Sequence, residues 1–153
     1  MADTSLSEKK IGLLIWQVSN YWQSKLRKVL KDHNLTLNEY LIIESIKILN
    51  ESKTELSQID ISKFSGIDVS VTSVTFKLLE NKKLIVRSNK NDNRKKTVEI
   101  SANGLKLFDR IYPTIVKKEK EIFGKLENEN YNFTNSLKLL LGRSLRVRAN
   151  KIQ

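Results

Sequence analysis

The 153-residue sequence contains no cysteine and a single histidine, His33. The lack of cysteine excludes disulfide bonds, thiol catalysis and cysteine-based metal or redox sites, and it suits a reducing cytoplasm. One histidine cannot form a histidine-cluster metal site. Neither a glycine-rich phosphate loop nor paired carboxylates at catalytic spacing are present, so we expect neither an enzyme nor a bound cofactor.

Long apolar runs are also missing. The segment IGLLIWQV, which begins at Ile11, is too short to cross a membrane, and no small-residue cleavage site follows it. Its apolar spacing continues instead as an amphipathic helix. We therefore expect a cytoplasmic protein with no export signal and no membrane partner.

Basic residues exceed acidic ones, with 28 Lys and Arg against 17 Asp and Glu and a net charge of +11. This balance favours a polyanionic partner, although AT-rich coding alone also enriches a chain in Lys, Asn and Ile. Residues 57–96 carry nine basic and four acidic side chains, a net charge of +5. A second basic concentration, in residues 143–151, also suits a solvated helix end.

Hydrophobic periodicity predicts one mainly α-helical domain with a small β-hairpin. We predict helices over about 7–32, 36–49, 58–64, 70–82, 102–123 and 131–148, and strands over 84–89 and 97–101. The first helix is longer than a typical globular helix, so part of its apolar surface is expected to contact a partner subunit. Pro113 is expected to kink the fifth helix rather than end it, because the apolar spacing resumes beyond it.

Several helix ends carry recognisable signals. Thr36 is followed three residues later by Glu39, and Ser57 by Asp60, as in capping boxes. Gly66 permits a left-handed turn between the third and fourth helices.

Asp68 or Ser70 is expected to cap the fourth helix. The apolar spacing also predicts which side chains of the third helix and of the two strands are buried. Apolar positions expected to face the core are Ile59, Ile61 and Phe64 in the third helix, Leu84 and Val86 in the first strand, and Val98 and Ile100 in the second.

The fourth helix has two apolar stripes, only one of which can face the core. Val71, Val74 and Leu78 form one stripe, and Thr72, Phe76 and Leu79 form the other. The outward face of the helix would also carry Ser70, Ser73 and Lys77. Hydroxyl and methyl groups on an exposed helix suit contacts in the major groove of DNA, whereas a fully buried helix is the alternative.

Three motifs follow one another in the second half of this region. The segment LLENKKLIVR spans residues 78–87, Asp92 and Arg94 form a D-x-R pair, and ISANG spans residues 100–104. At this spacing they resemble the LekkGLv, wing D-x-R and LTekG segments of the MarR (multiple-antibiotic-resistance type) family of bacterial transcriptional regulators. Lys83 stands where the family usually has glycine. The resemblance covers nearly the whole chain.

The resemblance implies a winged helix-turn-helix lobe over residues 36–101 and dimerisation helices over 7–34 and 103–150. A homodimer would place the helix from Ser70 in the major groove of a near-palindromic DNA duplex. Arg94 would reach the minor groove, with Asp92 holding the shape of the wing. The implied DNA-binding residues are Ser70, Val71, Ser73, Val74, Lys77, Lys90, Asp92, Arg94, Lys95 and Lys96.

Two further expectations follow from the resemblance. Many family members bind small aromatic or amphipathic effectors, and such a pocket could be lined by Trp16, Trp22, Tyr40 and Tyr112, although aromatic residues at helical spacing also form cores. Val74 replaces an arginine or polar residue often found there, so a bidentate arginine–guanine contact is not available at this position. Specificity would then depend on thymine methyl groups and DNA shape, or DNA binding would be weak.

The competing interpretation is a winged-helix protein–protein interaction module with weak or no DNA binding. In that case Val71, Val74 and Leu78 would form a docking patch for another protein.

Overall fold

The computed structural model describes residues 10–88 and 96–142. The expected start of the first helix near residue 7, most of the tip between the two strands and the basic C-terminal segment lie outside these ranges. The chain divides into two compact units, residues 1–115 and 116–153, and each is described by itself.

The described elements follow the predicted order. The first four helices are α1 (Ile11–Lys31), α2 (Leu37–Leu49), α3 (Gln58–Ser65) and α4 (Val69–Asn81). The hairpin consists of strands β1 (Ile85–Ser88) and β2 (Thr97–Ile100). Helix α5 (Ala102–Phe123), a 3-10 helix (Gly124–Glu129) and helix α6 (Asn130–Leu140) follow. The predicted fold class, mainly α with a two-stranded antiparallel hairpin, is confirmed.

Local hydrogen bonds explain why α2 and α3 begin where they do. The Glu39 backbone N–H donates to Thr36 Oγ1 at 3.1 Å, and the Thr36 N–H donates to Glu39 Oε1 at 2.9 Å. Ser57 and Asp60 exchange the same two bonds at 3.2 and 2.9 Å. Each pair satisfies two amides that a helix start otherwise leaves unbonded. Gly66 ends α3 in the left-handed conformation, with φ of 76°.

The core of the first unit is assembled from every element up to the middle of α5. Its fully buried side chains include Leu26 and Leu30 of α1, Tyr40, Ile42, Ile43 and Ile46 of α2, Ile61 of α3, Phe76 and Leu79 of α4, and Ile111 and Ile115 of α5. Leu56, between α2 and α3, is also buried, and its carbonyl accepts a hydrogen bond from the Val98 N–H at 2.9 Å. The hairpin is thereby held against the helices.

The prediction that Ile59 faces the core is wrong, because its side chain is 56% exposed. Ile61 is buried and Phe64 is half-buried, as expected for the inward face. Residues two apart on a helix point about 200° from each other, so Ile59 and Ile61 cannot share one face.

In β1 the alternation of buried and exposed side chains is shifted by one residue from the prediction. Ile85 is buried and Val86 is 52% exposed, whereas the prediction placed Val86 inward. Ile85 pairs with Ile100 and Arg87 with Val98, so these four residues share the face of the hairpin that meets the core. Leu84 is buried as predicted. It precedes the strand, so its burial does not depend on the alternation of side chains within β1.

Helix α5 begins against the hairpin and continues through Pro113 to Phe123. The Gly104 N–H donates to Ser101 Oγ at 3.0 Å, so Ser101 caps the helix. A Cβ atom on Gly104 would overlap the Leu84 carbonyl oxygen and lie 2.7 Å from Ile100 Cγ2. Glycine is therefore required for this close approach of helix to hairpin.

The second unit contains the end of α5, the 3-10 helix and α6. Glu127 interrupts the 3-10 helix with φ of 48° and ψ of −118°, which agrees with the predicted break between Gly124 and Asn130. None of the residues described in the 3-10 helix or in α6 is buried. Within residues 10–88 and 96–142, no helix combines the length and apolar character that a membrane span requires.

Candidate nucleic-acid interface

Helix α4 is started by Asp68, which the sequence offered as one of two caps. Its carboxylate accepts a hydrogen bond from the Ser70 N–H at 3.0 Å and a second, short one from the Ser70 hydroxyl. These two bonds, the hydroxyl first, lower the pKa of Asp68 below its ordinary value. The negative charge therefore stays at the helix start, where the helix dipole favours it.

One face of α4 is committed to the core. Its buried residues are Thr72, Thr75, Phe76 and Leu79. The Thr72 hydroxyl donates to the Asp68 carbonyl at 2.9 Å, and the Thr75 hydroxyl donates to the Val71 carbonyl at 2.7 Å. Both threonines thus satisfy their polar atoms within the helix.

The opposite face of α4 is apolar and open. Val74 is 59% exposed, Leu78 45% and Val71 40%. Ser70 and Lys77 are exposed beside them, and Ser73 is half-buried. The structure therefore selects the valine stripe as the outward one, and all five described DNA-contact candidates on this helix lie away from its buried face.

The far end of α4 is anchored by Lys82, a contact that the sequence did not suggest. Its ammonium group lies 2.9 and 3.0 Å from the two carboxylate oxygens of Glu39 and donates to the Asn34 carbonyl at 2.6 Å. Glu39 is almost completely buried. One lysine thus ties the end of α4 to the start of α2 and to the turn that follows α1.

Arg87 holds the hairpin to the same helix. Its guanidinium donates twice to Glu80 Oε1, once from Nε at 2.7 Å, and lies 5.5 Å from the centre of the Phe76 ring. A longer contact of 3.5 Å reaches Gln58 of α3. Arg87 is therefore a positioning residue within the fold. The sequence could have indicated this role, because Arg87 is two residues from Ile85 and so lies on the same inward face of β1. The prediction placed Val86 on that face instead, and the role of Arg87 was missed.

The predicted wing contacts fall largely outside the described residues. Lys90, Asp92, Arg94 and Lys95 lie in the gap between residues 88 and 96. Lys96 is described and exposed at the base of the hairpin, next to the last strand pair, Ser88 with Thr97.

The four aromatic candidates for an effector pocket differ in environment. Tyr40 is buried and stacks on Phe108 with 5.9 Å between ring centres, and Phe108 stacks on Tyr112 at 5.1 Å. Tyr112 is 44% exposed, Trp22 is half-buried, and Trp16 is 63% exposed. Tyr40 and Tyr112 are thus brought to one stack of rings that leads from the core to the surface.

Two shallow surface cavities of the first unit have other linings. One, of about 490 Å³, is lined by residues such as Lys83, Val86 and Asn103, and the other, of about 410 Å³, by residues such as Asn50 and Leu105. Neither is lined by any of the four aromatic candidates. In the part of the chain that the structure describes, no group of three or more acidic or histidine side chains is arranged to hold a metal ion.

Among curated proteins, the chain is similar to an uncharacterised HTH-type transcriptional regulator, YdcH of Bacillus subtilis (strain 168). The two are 28% identical over 131 residues, which cover 85% of this chain and 88% of YdcH. No protein-family model matches the chain.

Several solved structures share the fold. They include S. aureus MepR in complex with DNA, with a TM-score of 0.77, 22% identity, and coverage of 88% of this chain and 96% of MepR. BpsR of Bordetella bronchiseptica gives a TM-score of 0.75 at 19% identity over 90% of this chain and 96% of BpsR. A point mutant of E. coli MarR bound to operator DNA gives 0.72 at 19% identity, covering 94% of this chain and 99% of MarR. The chain therefore has the winged-helix fold of the MarR-type regulators that its sequence resembles.

Proposed function

We propose that the protein is a sequence-specific regulator of transcription that binds double-stranded DNA in the cytoplasm. The observation that carries this proposal is the outward face of α4, which stays free of the core while both ends of the helix are fixed. Ser70, Val74 and Lys77 are exposed on this face. The similarity to YdcH and to the DNA complexes of MepR and MarR supports the proposal.

In the proposed complex, α4 enters the major groove and the hairpin tip contacts the minor groove. A narrow minor groove concentrates negative potential and attracts arginine, which is the role proposed for Arg94. Asp92 would orient that arginine by a charge-assisted hydrogen bond. Lys77, Lys90, Lys95 and Lys96 would neutralise phosphates and supply affinity without sequence information.

The protein is proposed to act as a homodimer on a near-palindromic operator. Two sets of apolar residues without a place in the described core support this, namely Ile11, Leu14, Ile15, Trp16 and Val18 on α1, and Leu137, Leu139 and Leu140 on α6 with Leu141 just after it. Exposed apolar surface on this scale is typical of subunit interfaces. Two-fold symmetry would then set the spacing of the half-sites.

DNA binding is further proposed to be relieved by a small aromatic or amphipathic effector. DNA binding by BpsR is regulated by 6-hydroxynicotinic acid, which is a ligand of this class. Trp16, Trp22, Tyr40 and Tyr112 are the residues proposed to contact it. Trp16, which is 63% exposed, and the half-exposed ring of Tyr112, stacked over Phe108, are the parts of this set that a ligand can reach directly.

The test is binding of the full-length protein to duplexes selected from genomic DNA fragments, measured between about 50 and 200 mM salt. We expect affinity to fall steeply with salt, because each neutralised phosphate releases a counterion. Arg94→Ala should weaken binding and reduce the slope of log affinity against log salt by about 1. Arg110→Ala, at an exposed arginine of α5, is the matched control and should leave both quantities unchanged. Undetectable or salt-independent binding would refute the proposal.

A protein–protein interaction module is the second candidate function, because the outward stripe of α4 is as apolar as a docking patch. It predicts that Val74→Asp abolishes capture of a partner protein while Arg94→Ala has no effect on any activity. Loss of DNA binding on Arg94→Ala would decide against it.

A further inference from the structure

The outward face of α4 lacks the side chains that usually read purine bases. Arginine and lysine pair with guanine in the major groove, and asparagine and glutamine pair with adenine. Between Val69 and Asn81 the helix contains neither arginine nor glutamine, and its one asparagine is the last helical residue. Lys77 is the one long basic side chain on this helix. Bidentate readout by the first turns of α4 is therefore not available.

The two serines of this face are poorly placed to make such contacts with bases. The Ser70 hydroxyl already donates its proton to the Asp68 carboxylate, and the Ser73 side chain is half-buried. Neither is placed to dominate the choice of a base pair. Besides the Lys77 ammonium group, the exposed groups that remain for contacts with bases are the methyl groups of the valines and of Leu78.

Val74 is the most exposed of these apolar side chains and lies near the middle of the outward face. In helical projection it falls between Ser70 and Leu78, almost opposite the buried Thr72 and Leu79. Val71, one turn earlier, is displaced by about 4.5 Å along the helix axis. That distance is comparable to the rise of about 3.4 Å between successive base pairs, so the two valines can contact neighbouring base pairs.

We propose that Val74, together with Val71, determines the operator sequence by packing against the C5-methyl groups of thymines. The inference rests on the proposed function and specifies its target: each half-site should contain A·T or T·A pairs beneath the first two turns of α4. Thymine is the standard base with a methyl group in the major groove, and apolar side chains recognise it by burying that group. The net charge of +5 in residues 57–96 favours DNA over an uncharged apolar partner on this face.

The experiment removes the methyl group from either side of the contact. A duplex is selected by the full-length protein from a random-sequence pool, and each thymine of one half-site is then replaced by deoxyuridine, which lacks only the methyl group. We expect roughly fourfold weaker binding at each contacted thymine, the value for burying one methyl group. The effect should be confined to one or two adjacent positions of the half-site.

The same duplexes are then tested with protein variants. Val74→Ala should bind the thymine duplex about as weakly as the parent binds the deoxyuridine duplex, and should no longer distinguish the two. Val86→Ala removes the same atoms from an exposed valine of β1 and should keep the parent discrimination. Lys77→Ala should weaken both duplexes equally.

Equal binding of thymine and deoxyuridine duplexes by the parent protein would overturn the inference while leaving DNA binding intact. Full discrimination retained by Val74→Ala and by Val71→Ala would also overturn it. If no duplex is selected and the valine face instead captures a protein, the proposed function itself fails. The three results are distinguishable, because only the last removes DNA binding.

Discussion

At the scale of single residues, Lys83 joins α4 to β1 with a left-handed backbone, at φ of 60°. A β-carbon is unfavourable in this conformation, which glycine adopts freely. This is the position at which the MarR-type motif usually carries glycine. The helix-to-strand turn is therefore formed here at a cost in stability.

Lys83→Gly is predicted to raise the free energy of unfolding by about 1 kcal/mol by relieving this strain. Urea denaturation at one fixed protein concentration would measure it. Lys83→Ala keeps the β-carbon and should be nearly neutral, so it separates strain from loss of the side chain. A glycine variant no more stable than the alanine variant would contradict the argument.

Lys82, the neighbouring residue, stabilises the fold through its charge. It is the cation within hydrogen-bonding distance of the buried Glu39 carboxylate, and its own side chain is 31% exposed. Removing one partner of a buried ion pair leaves an uncompensated charge, which costs about 3–5 kcal/mol when burial is complete.

Lys82→Met is therefore predicted to lower the free energy of unfolding by about 2 kcal/mol, less than the full value because water reaches the lysine. Lys47→Met removes the more exposed ion pair with Asp109 and should cost about 0.5 kcal/mol or less. Thermal denaturation of both variants would compare them. Adding Glu39→Gln to Lys82→Met should recover part of the loss, and a failure to recover would exclude the charge as its cause.

At the scale of elements, the start of α3 depends on the ionised carboxylate of Asp60. The Ser57 backbone N–H contributes most to lowering the pKa of Asp60 below 3.8, and Lys53, at 3.0 Å, lowers it further. The folded state then binds fewer protons than the unfolded state near and below pH 3.8. Stability contributed by Asp60 is present above this range and is lost as the pH falls through it.

Asp60→Asn is predicted to flatten the decline in stability between about pH 4 and pH 2. Ser57→Ala is the informative control, because it keeps the backbone N–H and removes only the hydroxyl. It should lower stability by about 1 kcal/mol near neutral pH, the usual cost of losing a cap. It should keep most of the pH-dependent decline, because the Ser57 hydroxyl lowers the pKa of Asp60 less than the backbone N–H does. Urea denaturation across this pH range gives the profiles, and an Asn variant with the parent's slope would exclude Asp60 as a source of the dependence.

At the scale of the whole molecule, the proposed dimer explains apolar residues that the described core does not use. Leu139 and Leu140 are 67% and 70% exposed. Replacement of both by lysine is predicted to raise the dimer dissociation constant at least roughly tenfold, because two ammonium groups would have to leave water at the interface. Sedimentation equilibrium measures this directly. Leu78→Lys, at an exposed leucine of α4, should leave the dimer intact, and equal effects of the two changes would contradict the assignment.

Features that arise between neighbouring residues could be predicted from the amino-acid sequence. The capping pairs of Thr36 and Ser57, the left-handed Gly66 and the start of α5 after Ser101 all depend on hydrogen bonds or torsions within a few residues. The order of helices and strands followed from the same local signals, and with it the fold class.

The choice of buried faces, in contrast, emerged only when the elements were packed together. Packing turned the valine stripe of α4 outward and placed Ile85 rather than Val86 against the core. It also brought Lys82 to Glu39, 43 residues away in sequence, and so fixed the end of α4. Long-range ion pairs, and the choice between two apolar faces of one element, depend on which elements meet in space, and local periodicity alone does not determine that.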